Sequence, residues 1–139
     1  MSKIERKVFV KITPKKGSIV INYGVQVLFK EKGSGFSCFL PGLNIYFFAK
    51  TQEVMEKKAR LMSRFYFDHY MRFTEKQGLK KLVLDLNKKG FKTENNMTTV
   101  HNLINNRIVK ANFKAPAFTG HEDFKTASAI SQEAKFAVA

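Results

Sequence analysis

The chain has 139 residues, of which 44% are hydrophobic, and it carries 25 Lys and Arg against 11 Asp and Glu, a formal net charge of +14. This length predicts one domain, and the hydrophobic fraction excludes an intrinsically disordered chain. The apolar runs are far shorter than the ~20 residues of a membrane span. The charge favours polyanionic partners, such as nucleic acid, an acidic protein or an anionic membrane surface, and does not choose among them.

The N-terminal segment and the cysteine count indicate the compartment. Met1 to Lys11 alternates charged residues with Val and Phe, and it lacks the apolar segment of a cleaved signal peptide. The single cysteine, Cys38, cannot form an internal disulfide, which agrees with a reducing compartment. We therefore expect a cytoplasmic protein that does not insert into membranes.

The first third of the chain alternates apolar and polar residues with period two, which predicts strands. The segment 14–18 is predicted as a turn, and the glycines of 31–35 suit a hairpin loop. Gly24 suits a bend, and Pro41 ends a strand because it lacks a donor for the ladder. Strands that follow one another this closely favour an antiparallel meander. The predicted strands are 7–12, 19–29, 36–40 and 43–48.

The period changes at Thr51, which is a suitable N-cap for a long amphipathic helix. The opposite side of this helix mixes both signs of charge, which is typical of a solvated face. Its predicted apolar stripe, which can lie on the sheet, consists of Met55, Ala59, Met62 and Tyr66.

The C-terminal half predicts further helices and a strand. One helix has apolar residues at 79, 82, 83 and 86, with Gly90 as its left-handed C-cap and Phe91 packing back on Leu86. A weaker helix is predicted over 98–105 and a strand over 109–113.

These elements predict the α+β class. We expect an antiparallel meander sheet of three to four strands packed by a long amphipathic helix, with further helices and a strand in the C-terminal half. One domain covers 1–117. The segment 118–139 fits neither period and is either a strand or flexible.

A search for chemistry finds no assembled catalytic set, cofactor site, metal site or small-molecule site. Gly33 to Gly35 leads to a strand instead of a helix, so it is not a phosphate-binding loop. The histidines at 69, 101 and 121 lack partners at zinc-site spacing, and Cys38 is flanked by apolar residues. No predicted strand of the first half carries an internal acid, so the sheet cannot supply a two-metal nuclease site. We expect a protein that is not an enzyme.

Aromatic residues on the predicted sheet offer an interface. Tyr46 and Phe48 share one face of their strand, while Ile45 and Phe47 occupy the other. Since both faces of this strand are apolar, a partner or a second subunit is expected to cover one of them.

Nucleic-acid binding is the alternative, because lysines around an aromatic sheet can bind RNA or DNA. Acids interrupt the cations of the long helix, which weakens the case for phosphate contact there. The residues predicted to contact a polyanion are Lys30, Lys32, Lys57, Arg60 and Arg64.

The order of features from 23 to 70 resembles the HicB-like antitoxin family of toxin-antitoxin systems. The matching features are the glycine-containing hairpin Lys30 to Gly35, the step Leu40-Pro41-Gly42-Leu43, and Thr51-Gln52-Glu53 opening the long helix. The resemblance implies a degenerate RNase H-like core over about 19–73 without the nuclease acids. It also implies self-association as a homodimer and action through protein–protein association. The charge of +14 indicates a partner different from the basic RNase toxins of that family.

Overall fold

The computed structural model describes residues 8–72, 75–93, 110–115 and 123–137, within which seven strands and two helices form an α+β fold. The helix predicted over 98–105 lies outside the described residues. The strands are β1 Phe9–Lys15, β2 Ser18–Lys32, β3 Gly35–Leu40, β4 Ile45–Ala49, β5 Lys92–Thr93, β6 Ala111–Lys114 and β7 Lys125–Ala137. The helices are α1 Gln52–Met71 and α2 Glu75–Lys88.

The sheet is antiparallel throughout these strands and is larger than the three to four strands that the sequence predicts. The order is β4-β3-β2-β1-β6-β5, and β7 pairs with β2. The prediction was too small because β5, β6 and β7 join the sheet through pairings with distant segments, which local periodicity does not reveal. The antiparallel arrangement and the packing of helices against it are confirmed.

Strand β2 organises the whole sheet because both of its edges are occupied. Residues 18–24 pair with both β1 and β7, and Leu28 and Phe29 pair with both β3 and β7. Since a strand has two edges, β1 and β3 must share one edge, one after the other, while β7 runs along the opposite edge. The sheet therefore has two halves, one built on β1 and one on β3, joined by β2 and β7.

The C-terminal segment contributes the long strand β7, which pairs with β2 from Ser18 to Phe29. The register shifts between Val27 and Leu28, where β7 carries one extra residue, Ala127. Gly24 pairs in register with Phe9 and Ser131, so the irregularity predicted for β2 at Gly24 is absent, and the extra residue lies on β7.

The first turn is also shorter than predicted. Pro14 and Lys15 belong to β1, and Lys15 pairs with Ser18 across a two-residue turn in which Gly17 has φ 78°. Proline is tolerated in this strand because β6 pairs only with the part from Phe9 to Ile12, so no ladder bond to β6 is lost at Pro14.

Helix α1 begins where the sequence predicts, since Thr51 Oγ1 accepts a hydrogen bond from the Val54 amide at 3.1 Å. The buried positions of this helix recur every four residues, whereas the predicted stripe alternated spacings of four and three. The second half of the buried side therefore lies one residue further along the chain, and Met62 and Tyr66 are only half-buried. The fully buried positions of α1 are Met55, Ala59, Ser63 and Phe67.

Helix α2 ends in a Schellman motif, which confirms the predicted C-cap. Gly90 has φ 96°, and the Phe91 amide donates to Leu86 O at 2.9 Å. Phe91 is buried, as expected for the apolar contact that accompanies this motif. From residue 78 to the end of α2, the buried apolar side chains are Leu79, Leu82, Val83 and Leu86.

The core lies between the helices and one face of the sheet, called here the inner face. Alternate strand positions such as Ile21, Tyr23 and Val27 point into it. A polar link crosses this core: Gln132 Nε2 on β7 donates to Tyr23 Oη at 2.6 Å and to the carbonyl of Arg60 on α1 at 3.1 Å. Burial raises the pKa of Tyr23, so its hydroxyl stays protonated and serves as a structural hydrogen-bonding group. No helix among the described residues has the length and hydrophobicity to cross a bilayer.

Candidate interaction surfaces

The opposite side of the sheet, the outer face, carries two exposed aromatic residues on β4. Tyr46 is 64% exposed and Phe48 is 43% exposed, whereas Ile45 and Phe47 point inward and are half-buried. Strand alternation places Tyr46 and Phe48 together on this face, as predicted. Strand β4 ends the chain of paired strands, so these side chains lie at an edge of the described sheet.

A row of aromatic rings continues from this edge across the outer face through Phe39, which is buried at 3% exposure, to the half-buried Phe124. The rings of Phe39 and Tyr46 stack with centroids 4.3 Å apart, and Phe124 lies 6.4 Å from Phe39. Lys30 closes the row, because its ammonium lies 5.0 Å from the Phe124 centroid and 3.3 Å from the Asp123 carboxylate. These residues form the aromatic patch, defined as Phe39, Tyr46, Phe48 and Phe124 with Ser37 between them.

Two contacts hold the edge of the patch in place. Lys58 Nζ on α1 donates to Phe48 O at 2.7 Å, so it occupies one carbonyl of the edge strand. The Phe48 ring lies over Gly35, where a Cβ would collide with the ring and lie 2.8 Å from Ala49 O. Gly35 is therefore required for close approach, whereas Gly33, with φ 60°, is the residue that supplies the hairpin conformation.

The structure does not bring the five predicted polyanion-contacting residues to one surface. Lys30 and Lys32 occupy outer-face positions of β2, whereas Lys57, Arg60 and Arg64 belong to α1, on the other side of the sheet. Glu56 lies 3.3 Å from Arg60, and Asp68 lies 3.2 Å from Arg64. The α1 cations are therefore partly neutralised within the helix, as expected for a solvated face.

A second outer surface, which sequence reasoning missed, is rich in lysine. Across the described strands the outer positions carry seven lysines and one glutamate, Glu133. Each lysine is an ordinary polar position of a strand, and only the pairing of β1, β2, β5, β6 and β7 collects them. The lysines are Lys11, Lys15, Lys30, Lys32, Lys92, Lys114 and Lys135.

A half-buried charged cluster joins the two helices. The Tyr66 hydroxyl donates to Asp85 Oδ2, and Lys89 Nζ donates to the same oxygen at 2.8 Å. Burial alone would raise the pKa of Asp85, but the hydrogen bonds from Lys89 and Tyr66 and the charge of Lys89 lower it below its ordinary value. Burial and the Asp85 carboxylate raise the pKa of Tyr66 far above its ordinary value. Tyr66 is therefore a fixed donor at neutral pH, and the cluster fastens α2 to α1.

A cavity of about 480 Å³ opens beside this cluster, between β4, α1 and α2. Of its polar lining groups, Tyr66 and Lys89 hydrogen-bond to Asp85. His69 is exposed at its rim, with its ring 5.0 Å from Tyr70. The lining residues are Ile45, Met62, Phe65, Tyr66, His69, Tyr70, Asp85 and Lys89.

The remaining chemical candidates are structural or lie outside the described residues. Cys38 is buried in β3, and burial raises the pKa of its thiol, which keeps it protonated and weakly nucleophilic. Within the described ranges no three His, Cys, Asp or Glu residues come together as a metal site. His101 and His121 lie outside those ranges. Comparison of the chain with protein-family models, with curated proteins and with solved structures finds no match.

Proposed function

We propose that this chain is a non-enzymatic binding and regulatory protein that acts by associating with a second copy of itself through the aromatic patch. The observation that carries the proposal is the pair Tyr46 and Phe48, exposed side by side on one face of an edge strand. Exposed aromatic residues that adjoin one another are typical of protein interfaces. The resemblance to HicB-like antitoxins supports the same kind of activity, since it implies a dimer that works through protein association.

The charge distribution favours a second copy as the occupant. Two chains of charge +14 repel each other, so they can approach only where positive charge is sparse. The outer positions of β3 and β4 are Gly35, Ser37, Phe39, Tyr46 and Phe48, none of which is charged. A two-fold axis beside β4 would therefore bury the aromatic residues of both copies and leave the lysines of β5, β6 and β7 away from the contact.

The test is the oligomeric state of the full chain, measured by sedimentation in high salt after nuclease treatment. The variant Tyr46→Ser with Phe48→Ser removes the patch, and Leu61→Ser with Leu84→Ser removes two side chains that are 52% and 59% exposed on the helices. We expect the wild type and the helix variant to be dimers and the patch variant to be a folded monomer. Apolar association persists in high salt, because salt screens charge–charge contacts and not burial.

Three results would contradict this proposal. A wild-type monomer at all accessible concentrations excludes the homodimer. Equal loss of the dimer in both variants shows that apolar exposure in general, and not the patch, drives association. A dimer that persists in the patch variant places the interface elsewhere.

A further inference from the structure

Strand β4 lies at the end of the strand order, and one side of its backbone is not paired with any described strand. The hairpin between β2 and β3 shows which residues face that side. Lys32 and Gly35 close a two-residue turn, so they exchange backbone hydrogen bonds, and Gly35 faces β2. Successive residues of a strand turn their backbone groups to opposite sides, so Phe36 and Cys38 face β4.

The same alternation assigns the backbone groups of β4. Phe47 is directly opposite Cys38, so its amide and carbonyl bond to β3. Its neighbours Tyr46 and Phe48 therefore turn their amides and carbonyls away from β3, out of the edge. The contact of Lys58 agrees with this assignment, because its ammonium reaches the Phe48 carbonyl from helix α1 at 2.7 Å. The edge thus presents donors and acceptors from both aromatic residues, and Lys58 holds one of the acceptors.

The exposed part of the aromatic patch lies at the same edge. Phe39 is 3% exposed and Phe124 is half-buried, whereas Tyr46 and Phe48 are 64% and 43% exposed. Farther from β4 the aromatic rings are therefore already covered within the chain. On the inner side of β4, the two apolar side chains are half-buried and keep part of their surface exposed. A partner that approaches β4 along its edge covers both sides of the strand.

A second copy of β4 matches these edge groups when the two strands pair antiparallel about a two-fold axis at Phe47. Tyr46 of each copy is then opposite Phe48 of the other, and each such pair exchanges two backbone hydrogen bonds. Their side chains lie on one face with Cβ atoms about 5 Å apart, the spacing at which aromatic residues on neighbouring strands pack. Charge favours this register, because Lys50 at the end of each strand lies toward Asn44 of the other copy and not toward the other Lys50.

We propose that the homodimer forms by antiparallel pairing of two β4 strands into one continuous sheet, and that Lys58 opposes this pairing by holding the Phe48 carbonyl. The inference rests on the proposed self-association and adds its backbone geometry and its control. Each Lys58 has to release the carbonyl before the Tyr46 amide of the other copy bonds to it. Lysines at edge strands commonly protect against pairing with other chains. In this chain the lysine sets the concentration at which the dimer forms.

The first test is amide hydrogen exchange of the full chain, measured for single residues by NMR at concentrations below and above dimer formation. We expect the amides of Tyr46 and Phe48 to exchange rapidly in the monomer and about tenfold or more slowly in the dimer. The Phe47 amide faces β3 and is the internal control, since it should be protected at both concentrations. Sedimentation of the same samples reports the oligomeric state.

The second test compares the dimer affinities of Lys58→Met and Lys57→Met. Lys58→Met keeps an unbranched apolar side chain and removes the donor to Phe48. Lys57→Met removes the same charge from the preceding position of α1, which is also exposed. Each dimer releases two Lys58 contacts, so we expect Lys58→Met to dimerise about tenfold more tightly than Lys57→Met, at roughly threefold for each exposed hydrogen bond. Circular dichroism checks that both variants are folded.

The outcomes separate this inference from the proposed self-association. A dimer in which the amides of Tyr46 and Phe48 remain unprotected would overturn edge pairing and leave the homodimer intact. Equal dimer affinities of the two lysine variants would overturn the role of Lys58, because charge alone would then account for its effect. A chain that stays monomeric in the wild type and in both variants would overturn the homodimer and, with it, this inference.

Discussion

The outer face of one sheet presents two different surfaces, an aromatic patch on β3 and β4 and a lysine surface on β1, β5, β6 and β7. The patch is uncharged at its strand positions, while the lysine surface has a single glutamate among its described outer positions. The inner face of both halves is mostly apolar. Packing against the helices explains the apolar inner face, whereas the outer positions of the two halves differ from each other in charge.

The largest expected effect tests whether these two surfaces belong to one cooperative structure. Phe113 on β6 is 1% exposed in the half built on β1, and Leu40 on β3 is 0% exposed in the half built on β3. We expect Phe113→Ala and Leu40→Ala each to lower the free energy of unfolding by about 2–5 kcal/mol, from lost burial and the cavity left behind. Both should unfold in one transition in urea, because β2 and β7 run through both halves. Selective loss of hydrogen-exchange protection in β6 alone, after Phe113→Ala, would show that the halves are independent.

A smaller effect should be confined to the aromatic half. Gly35→Ala places a Cβ against the Phe48 ring and 2.8 Å from Ala49 O, so we expect a loss of about 1–3 kcal/mol in urea unfolding from overpacking. Gly33→Ala is the control, since nothing lies near its added Cβ and its cost is the left-handed backbone alone, about 1 kcal/mol. Only Gly35→Ala should displace Phe48 and weaken self-association. Identical behaviour of the two variants would mean that Phe48 is not held by this contact.

Between the two helices, in contrast to the outer face of the sheet, a half-buried charge has an opposite charge beside it. Asp85→Asn removes the carboxylate that Lys89 and Tyr66 share, and should cost about 1–3 kcal/mol at pH 7 because its partners remain half-buried. The pKa of Asp85 is lowered from 3.8 in the folded protein. Its contribution is therefore complete above about pH 4 and is lost as the pH falls through the lower folded pKa, so the two stability curves should converge in acid. Asp123→Asn, at the exposed pair with Lys30, should cost less than about 1 kcal/mol.

Local patterns in the sequence predicted the elements that local forces govern. Period two identified β2 to β4, the Thr51 cap identified the start of α1, and Gly90 with Phe91 identified the end of α2, because capping and alternation depend on neighbouring residues. The same alternation placed Tyr46 and Phe48 on one face. The homodimer that Tyr46 and Phe48 would form and the resemblance to HicB-like antitoxins stay predictions.

Only the tertiary structure decided the number of strands, the position of β7 and the composition of the lysine surface. Lys92 and Lys114 are separated along the chain and meet only through the β5–β6 pairing, while β7 adjoins β2 from the opposite end of the sequence. Such contacts are selected by global burial of the inner face, which no single window of sequence contains. For the aromatic patch, the sequence alone identified Tyr46 and Phe48 and placed them on one face of their strand. For the lysines of the outer face, the sequence supplied the charges, and only the pairing of distant strands brought them onto one surface.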